Sequence, residues 1–132
     1  MNVLLDTHVW IWWLTGQDDL PKREKKRLDE LATHHPPFLS DISLWEAQMM
    51  AAKGRLQLSR PFAQWLIEAT LPDVVRLVRL SPEVILQLDN LPSTFHGDPA
   101  DRIIAATALA LDIPLCTHDK LLRKSKVVRL WN

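Results

Sequence analysis

Short apolar runs alternate along this chain with longer segments whose apolar residues recur every three or four positions. Val3-Leu4-Leu5 is a continuous apolar run, as in a strand covered on both faces, and predicts a strand over 2–6. Val9, Trp10, Trp13 and Leu14 then fall at helical spacing and predict a helix over 7–15. Pro21 opens a charged helix, PKREKKRLDELATHH, with Leu28 and Leu31 inward; Pro36-Pro37 ends it. Phe38-Leu39-Ser40 predicts a short strand. Segment 42–53 predicts an amphipathic helix with Ile42, Trp45, Met49 and Ala52 on one face, stopped at Gly54. Beyond it, PFAQWLIEATL reads as a helix opened by Pro61, VVRLVRL (74–80) as a strand, and 82–91 as a helix opened by Pro82. After the loop LPSTFHGDP come a strong helix, DRIIAATALALD, a strand and turn, IPLCTHD, a short helix, KLLRK, and a last strand, VVRLW.

Strands that alternate with helices, and that are apolar throughout, predict an α/β fold with a mostly parallel sheet. In such folds ligands gather at the carboxyl ends of the strands. Asp6 stands at that end of the first strand, and Asp119 follows the strand that ends near Cys116. Two further acids join them. Glu46 borders the apolar face of its helix, and Asp101 opens the helix that carries Ile104 and Ala105. If these helices pack against the strand tips, Asp6, Glu46, Asp101 and Asp119 converge. Four carboxylates in one crevice repel one another unless some stay protonated or a cation joins them. Mg²⁺ or Mn²⁺, which prefer oxygen donors, would supply that cation. Each acid also has a plain structural reading. Asp98 reads as the N-cap of its helix with Pro99 first and Asp101 third, Ser43 and Glu46 as a capping box, Asp119 as the cap of KLLRK, and Asp6 or Thr7 as the cap of the helix after the first strand.

Composition narrows the alternatives. The 132 residues fit one domain, and 47% apolar content allows a real core. Sixteen basic residues balance sixteen acidic ones, so no global basic field advertises nucleic acid. A lone cysteine, Cys116, suits a reducing cytoplasm. No apolar stretch approaches a membrane span, and the N-terminal run, broken by Asp6 and His8 and lacking a basic leader, does not read as a signal peptide. The five histidines lack zinc spacing; His8, His96 and His118 flank the acidic motifs and read as phosphate contacts or proton donors or, more plainly, as surface groups or partners of the acids. Of the six tryptophans, Trp10, Trp13, Trp45 and Trp65 are assigned to the core. Trp12, about 200° round the helix from Trp10, is left outside with Ile11.

The ordered segments LLDTHVWIW, ISLWEAQMMAAKGRL and DPADRIIAATALALDIPLCTHD resemble the PIN-domain nucleases, and more narrowly the VapC-type toxin ribonucleases of bacterial toxin–antitoxin pairs. The resemblance runs from residue 3 to about 130. It implies a Rossmann-like three-layer α/β/α sandwich over 1–132 and Mg²⁺- or Mn²⁺-dependent hydrolysis of RNA. It also implies a cognate antitoxin as partner, and a homodimer. Carried over by position, the metal acids are Asp6, Glu46, Asp101 and Asp119. Thr7 and Thr117 are hydroxyls beside them, and Asp98 is a supporting acid of the third motif. Arg102, Lys53 and Arg55 are candidate contacts to RNA phosphates, with an ion pair to Asp98 as the alternative for Arg102. A receiver-like phosphoryl-transfer domain would want a second acid two residues after Asp6, where His8 stands instead. A non-catalytic RNA-binding or protein-interaction module on the same fold is the remaining alternative.

Overall fold

The computed structural model describes residues 1–131. Strands β1 (Leu4–Leu5), β2 (Phe38–Ser40), β3 (Arg76–Val78) and β4 (Leu115–Cys116) form one parallel sheet in the order β3-β2-β1-β4. Between them run helices α1 (Thr7–Thr15), α2 (Lys22–His34), α3 (Ile42–Ala52), α4 (Phe62–Ala69), α5 (Pro82–Asp89) and α6 (Pro99–Leu111), and α7 (Lys120–Ser125) follows β4.

Alternation along the strands divides the core into two. Val3, Leu5, Leu39 and Cys116 face one side, where they meet Val9, Trp10 and Trp13 of α1, Leu28 of α2, Ala47 of α3 and Trp65 of α4. Leu4, Phe38 and Leu115 face the other side, against Leu88 of α5, Ile104, Ala105 and Ala108 of α6, and Leu122 of α7. Helices therefore cover both faces, and the expected three-layer α/β/α sandwich is what forms. Both faces are dry, which explains why the strands read as continuous apolar runs. Alanines 105, 106 and 108 in α6 are buried, so this helix approaches the sheet closely.

The local signals place most helix ends. Ser81 caps α5 with Pro82 behind it, and its hydroxyl accepts from Val84 N. Asp98 caps α6 with Pro99 behind it, so this helix begins two residues before the expected start at Asp101. Gly16, at φ 68°, closes α1 in the left-handed conformation that glycine takes most easily.

Three expectations change. The last strand, expected over 127–131, shrinks to one parallel bridge between Leu130 and Leu115, held by Leu115 N to Arg129 O at 2.8 Å and Trp131 N to Leu115 O at 3.0 Å. Lys126 takes a left-handed turn at the end of α7, and a bend at 127–128 follows, so the chain meets the sheet edge only briefly. Trp45, assigned to the core, is 49% exposed, because α3 turns Ser43 and Ala47 inward instead. Ile11, left outside with Trp12, is buried.

Ile104→Ala removes a fully buried side chain between sheet and α6, and is expected to lower stability by about 2–5 kcal/mol in urea unfolding. Ile85→Ala, on the exposed face of α5, is expected to stay within about 0.5 kcal/mol of the parent.

Candidate metal centre

The sheet register builds the floor of the site. Leu5 lies opposite Cys116, so the next residues, Asp6 and Thr117, leave the sheet side by side. Thr117 Oγ1 donates to Asp6 Oδ2 at 2.7 Å, and Thr7 N donates to Asp6 Oδ1 at 2.8 Å. Asp6 is thus the N-cap of α1 while its carboxylate stays at the strand tip. It is buried, as are Thr7, Ser43 and Thr117 around it.

Glu46 reaches the same point from α3. This helix starts directly after β2, so its second turn stands over the strand tips. Thr7 Oγ1 donates to Glu46 Oε1 and lies 2.8 Å from Ser43 Oγ. The capping-box reading of Ser43 and Glu46 fails here: Asp41 is the N-cap of α3, and both side chains serve the crevice through Thr7. On the β4 side, Asp119 N donates to Thr117 Oγ1 at 3.0 Å, and Asp119 Oδ1 accepts from Leu122 N at 2.9 Å, capping α7. One hydrogen-bonded chain therefore links Asp119, Thr117, Asp6, Thr7 and Glu46.

Asp101 enters from the first turn of α6. Its Oδ2 lies 2.9 Å from His96 Nε2, and donor atoms of His96, Asp101 and Asp119 lie within 4.8 Å of one another. The sequence left His96 as a flanking group. It stands in the loop before α6, five residues ahead of Asp101, and only the fold of that loop brings its ring inward.

The electrostatics link the acids in pairs: Asp101 acts on Asp6 and on Glu46, Asp6 on Glu46, and Asp119 on Asp101. Burial pushes the Asp6 carboxyl from 3.8 up to about 6, and the charge of Asp101 adds to the rise, against the Thr117 hydroxyl. Burial pushes Glu46 from 4.5 up to about 7, aided by Asp6 and Asp101 and opposed by the Thr7 hydroxyl. Asp101 is also raised, by burial first and then by Asp98 and Asp119, against its bond to His96. Without a cation, this crevice holds protons at neutral pH that ordinary carboxyls would release. A set of carboxylate oxygens with an excess of negative charge fits a hard divalent cation.

The remaining candidates sit further out. Asp98 is exposed and accepts from Asp101 N at 3.0 Å, so its contact is with the α6 backbone. Arg102 does not pair with Asp98. Its Nη1 points to the carbonyls of Phe95 and His96 at 3.4 and 3.5 Å, bracing the loop that carries His96. Lys53 and Arg55 are exposed beyond the end of α3; Lys53 lies about 10 Å along the helix from Glu46.

Because Asp6 and Glu46 titrate higher folded than unfolded, the folded metal-free protein binds more protons between about pH 4 and 7. Its stability is therefore expected to fall as pH rises through that window. Glu46→Gln is expected to flatten the fall and to stabilise the metal-free protein at pH 8 by about 1–3 kcal/mol. Urea unfolding in EDTA at pH 5 and pH 8 reads both effects, and a parent more stable at pH 8 than at pH 5 would contradict them.

The geometry agrees with comparison to known proteins. The PIN domain family model matches residues 3–127. The chain is 38% identical over 128 residues to Ribonuclease VapC22 of Mycobacterium tuberculosis, covering 95% of this chain and 92% of that protein. Its fold matches the crystal structure of VapBC2 from Rickettsia felis bound to a DNA fragment from their promoter. There the TM-score is 0.76 at 19% identity, over 100% of this chain and 98% of that one. It also matches FitAcB from Neisseria gonorrhoeae, with a TM-score of 0.70 at 20% identity over 98% and 96% of the two chains. An acidic crevice on the strand tips of a parallel α/β/α sandwich, a family match along nearly the whole chain and a close relative named VapC22 agree: this chain belongs to the PIN-domain family, in its VapC group.

Proposed function

We propose that this chain is a metal-dependent endoribonuclease and the toxin of a toxin–antitoxin pair. The observation that carries the reading is the raised proton affinity of Asp6, Glu46 and Asp101 at the strand tips, where burial acts first and Asp101 adds to the rise in the other two, with Asp119 beside Asp101. Acids held in such a crevice are poor structural elements and good cation ligands. Their oxygen donors suit Mg²⁺ or Mn²⁺ equally.

Asp6, Glu46, Asp101 and Asp119 would hold the cation or cations. Bound there, a divalent ion supplies a clamp on a phosphate oxygen and lowers the pKa of an attacking water. The chain's own residues prepare that site. Thr7 and Thr117 each spend a hydroxyl proton on an acid, fixing the Glu46 and Asp6 carboxylates against rotation. His96 holds one oxygen of Asp101 and leaves the other for a ligand. The caps from Asp6 and Asp119 tie the acids to the starts of α1 and α7, so the ligands ride on rigid elements. Asp98 supports Asp101 through its backbone, and the proposal extends to Arg102, Lys53 and Arg55 as contacts to RNA phosphates.

Similarity to Ribonuclease VapC22 supports RNA as substrate, and the structural likeness to VapBC2 and FitAcB supports an antitoxin partner. Among the described residues no helix is long and apolar enough to cross a membrane, which is compatible with action on RNA in the cytoplasm. We extend the proposal to a homodimer of single-domain chains.

Purified protein is expected to cut RNA in Mg²⁺ or Mn²⁺ and to stop in EDTA. Asp6→Asn and Asp101→Asn are expected to slow cutting at least about 100-fold while remaining folded by circular dichroism. Cutting that persists in EDTA, or that survives both substitutions, would refute the metal reading. A folded wild type that cuts no RNA and binds no divalent ion by calorimetry would leave the non-catalytic module.

A further inference from the structure

Three rings stand in a row on the rim of the acidic crevice. His8 and Trp12 are one helical turn apart on α1, with centroids 5.9 Å apart and planes tilted by 54°. Trp12 in turn meets His118, from the turn between β4 and α7, at 6.0 Å and 50°. His8 follows Thr7 directly and His118 precedes Asp119 directly, so both ends of the row adjoin residues of the crevice. The charge of His8 reaches both Asp6 and Glu46. His118 is pinned from behind, its Nε2 against Glu24 Oε2 of α2. Trp12 rests on the core on one side and stays half-buried, and His8 is exposed.

The exposed His8 is not needed for packing. Trp10 and Trp13 fill the core side of α1, and an alanine or serine at position 8 would leave that core intact. Ring faces of this kind are the chemistry that holds single-stranded nucleic acid by stacking its bases. A strand whose phosphate lies over the acids must carry a base past the rim.

We propose that His8, Trp12 and His118 form a stacking shelf for one nucleobase of a single-stranded RNA, next to the phosphate over the acidic crevice. The inference rests on the ribonuclease reading for the supply of an RNA strand. The shelf gives a base-tolerant grip: it selects an unstacked nucleotide over a paired one, since every base offers a ring face and a duplex does not.

The test is an abasic walk. A fluorescein-labelled single-stranded RNA is bound in Ca²⁺, and a series of the same RNA with one abasic nucleotide at each position in turn is bound alongside it. The parent protein is expected to lose roughly 5- to 100-fold in Kd at one position and little elsewhere. His8→Ala, at an exposed site, and Trp12→Leu, which keeps an apolar side chain against the core, are each expected to weaken the intact RNA and to shrink that abasic penalty below about twofold. A flat abasic profile in the parent, as a surface made for a protein partner would give, overturns the shelf. So does an abasic penalty that both variants keep. Cleavage of the same RNAs in Mn²⁺ separates the two readings. Binding with the expected profile but no cutting refutes the ribonuclease and keeps the shelf, whereas cutting with a flat profile refutes the shelf alone.

Discussion

The burial of the Asp6 carboxylate at the tip of β1 is the constraint on which the rest of the crevice is built. A lone carboxylate in that position would be costly, and the protein answers it with two donors, the Thr117 hydroxyl and the Thr7 N–H. Those two bonds offset only part of the burial, and with the charge of Asp101 added the carboxyl is still pushed up to about 6. The site is therefore held in tension: the backbone geometry fixes the acids, and their charges oppose one another. Under the proposed function that tension would favour a bound cation, which would make stability and ligand binding two aspects of one electrostatic balance.

The two threonines are the economical part of the arrangement. Thr7 offers its N–H to Asp6 and its hydroxyl to Glu46, so one residue fixes two acids from different elements. Thr117 accepts from Asp119 N and donates to Asp6, joining β4 to β1 across the tips. Replacing either by valine would keep the shape and leave carboxylate oxygens without a donor. The parallel register makes this possible, since adjacent strands end level and their next residues emerge together.

The candidate acids stand out in the sequence because their order along the chain matches a known family and because Asp6, Asp101 and Asp119 each stand near the end of an element. Their bonds were not legible. Glu46 looked equally like half of a capping box with Ser43, and only the passage of α1 alongside α3 shows that both side chains turn to Thr7. His96 gave no distinguishing signal: a histidine in a loop can face anywhere until the loop is folded, and here Arg102 braces that loop through its carbonyls. Trp45 misled for the opposite reason. Helical spacing defines a face but not which neighbour covers it, and that position of α3 faces outward.

By itself the sequence determined the alternation of strands and helices, most helix starts, and the chemical kind of the site. Apolar period, proline, glycine and capping residues act over a few positions, so they can be read without the fold. The tertiary structure alone decided the sheet order, the shrinking of the last strand to a single bridge, and the raised proton affinity of Asp6, Glu46 and Asp101. These depend on distances between residues such as Asp6 and Thr117, which lie far apart along the chain and meet only when the sheet closes. Contact across such separations is set by the packing of whole elements, and no local pattern encodes it.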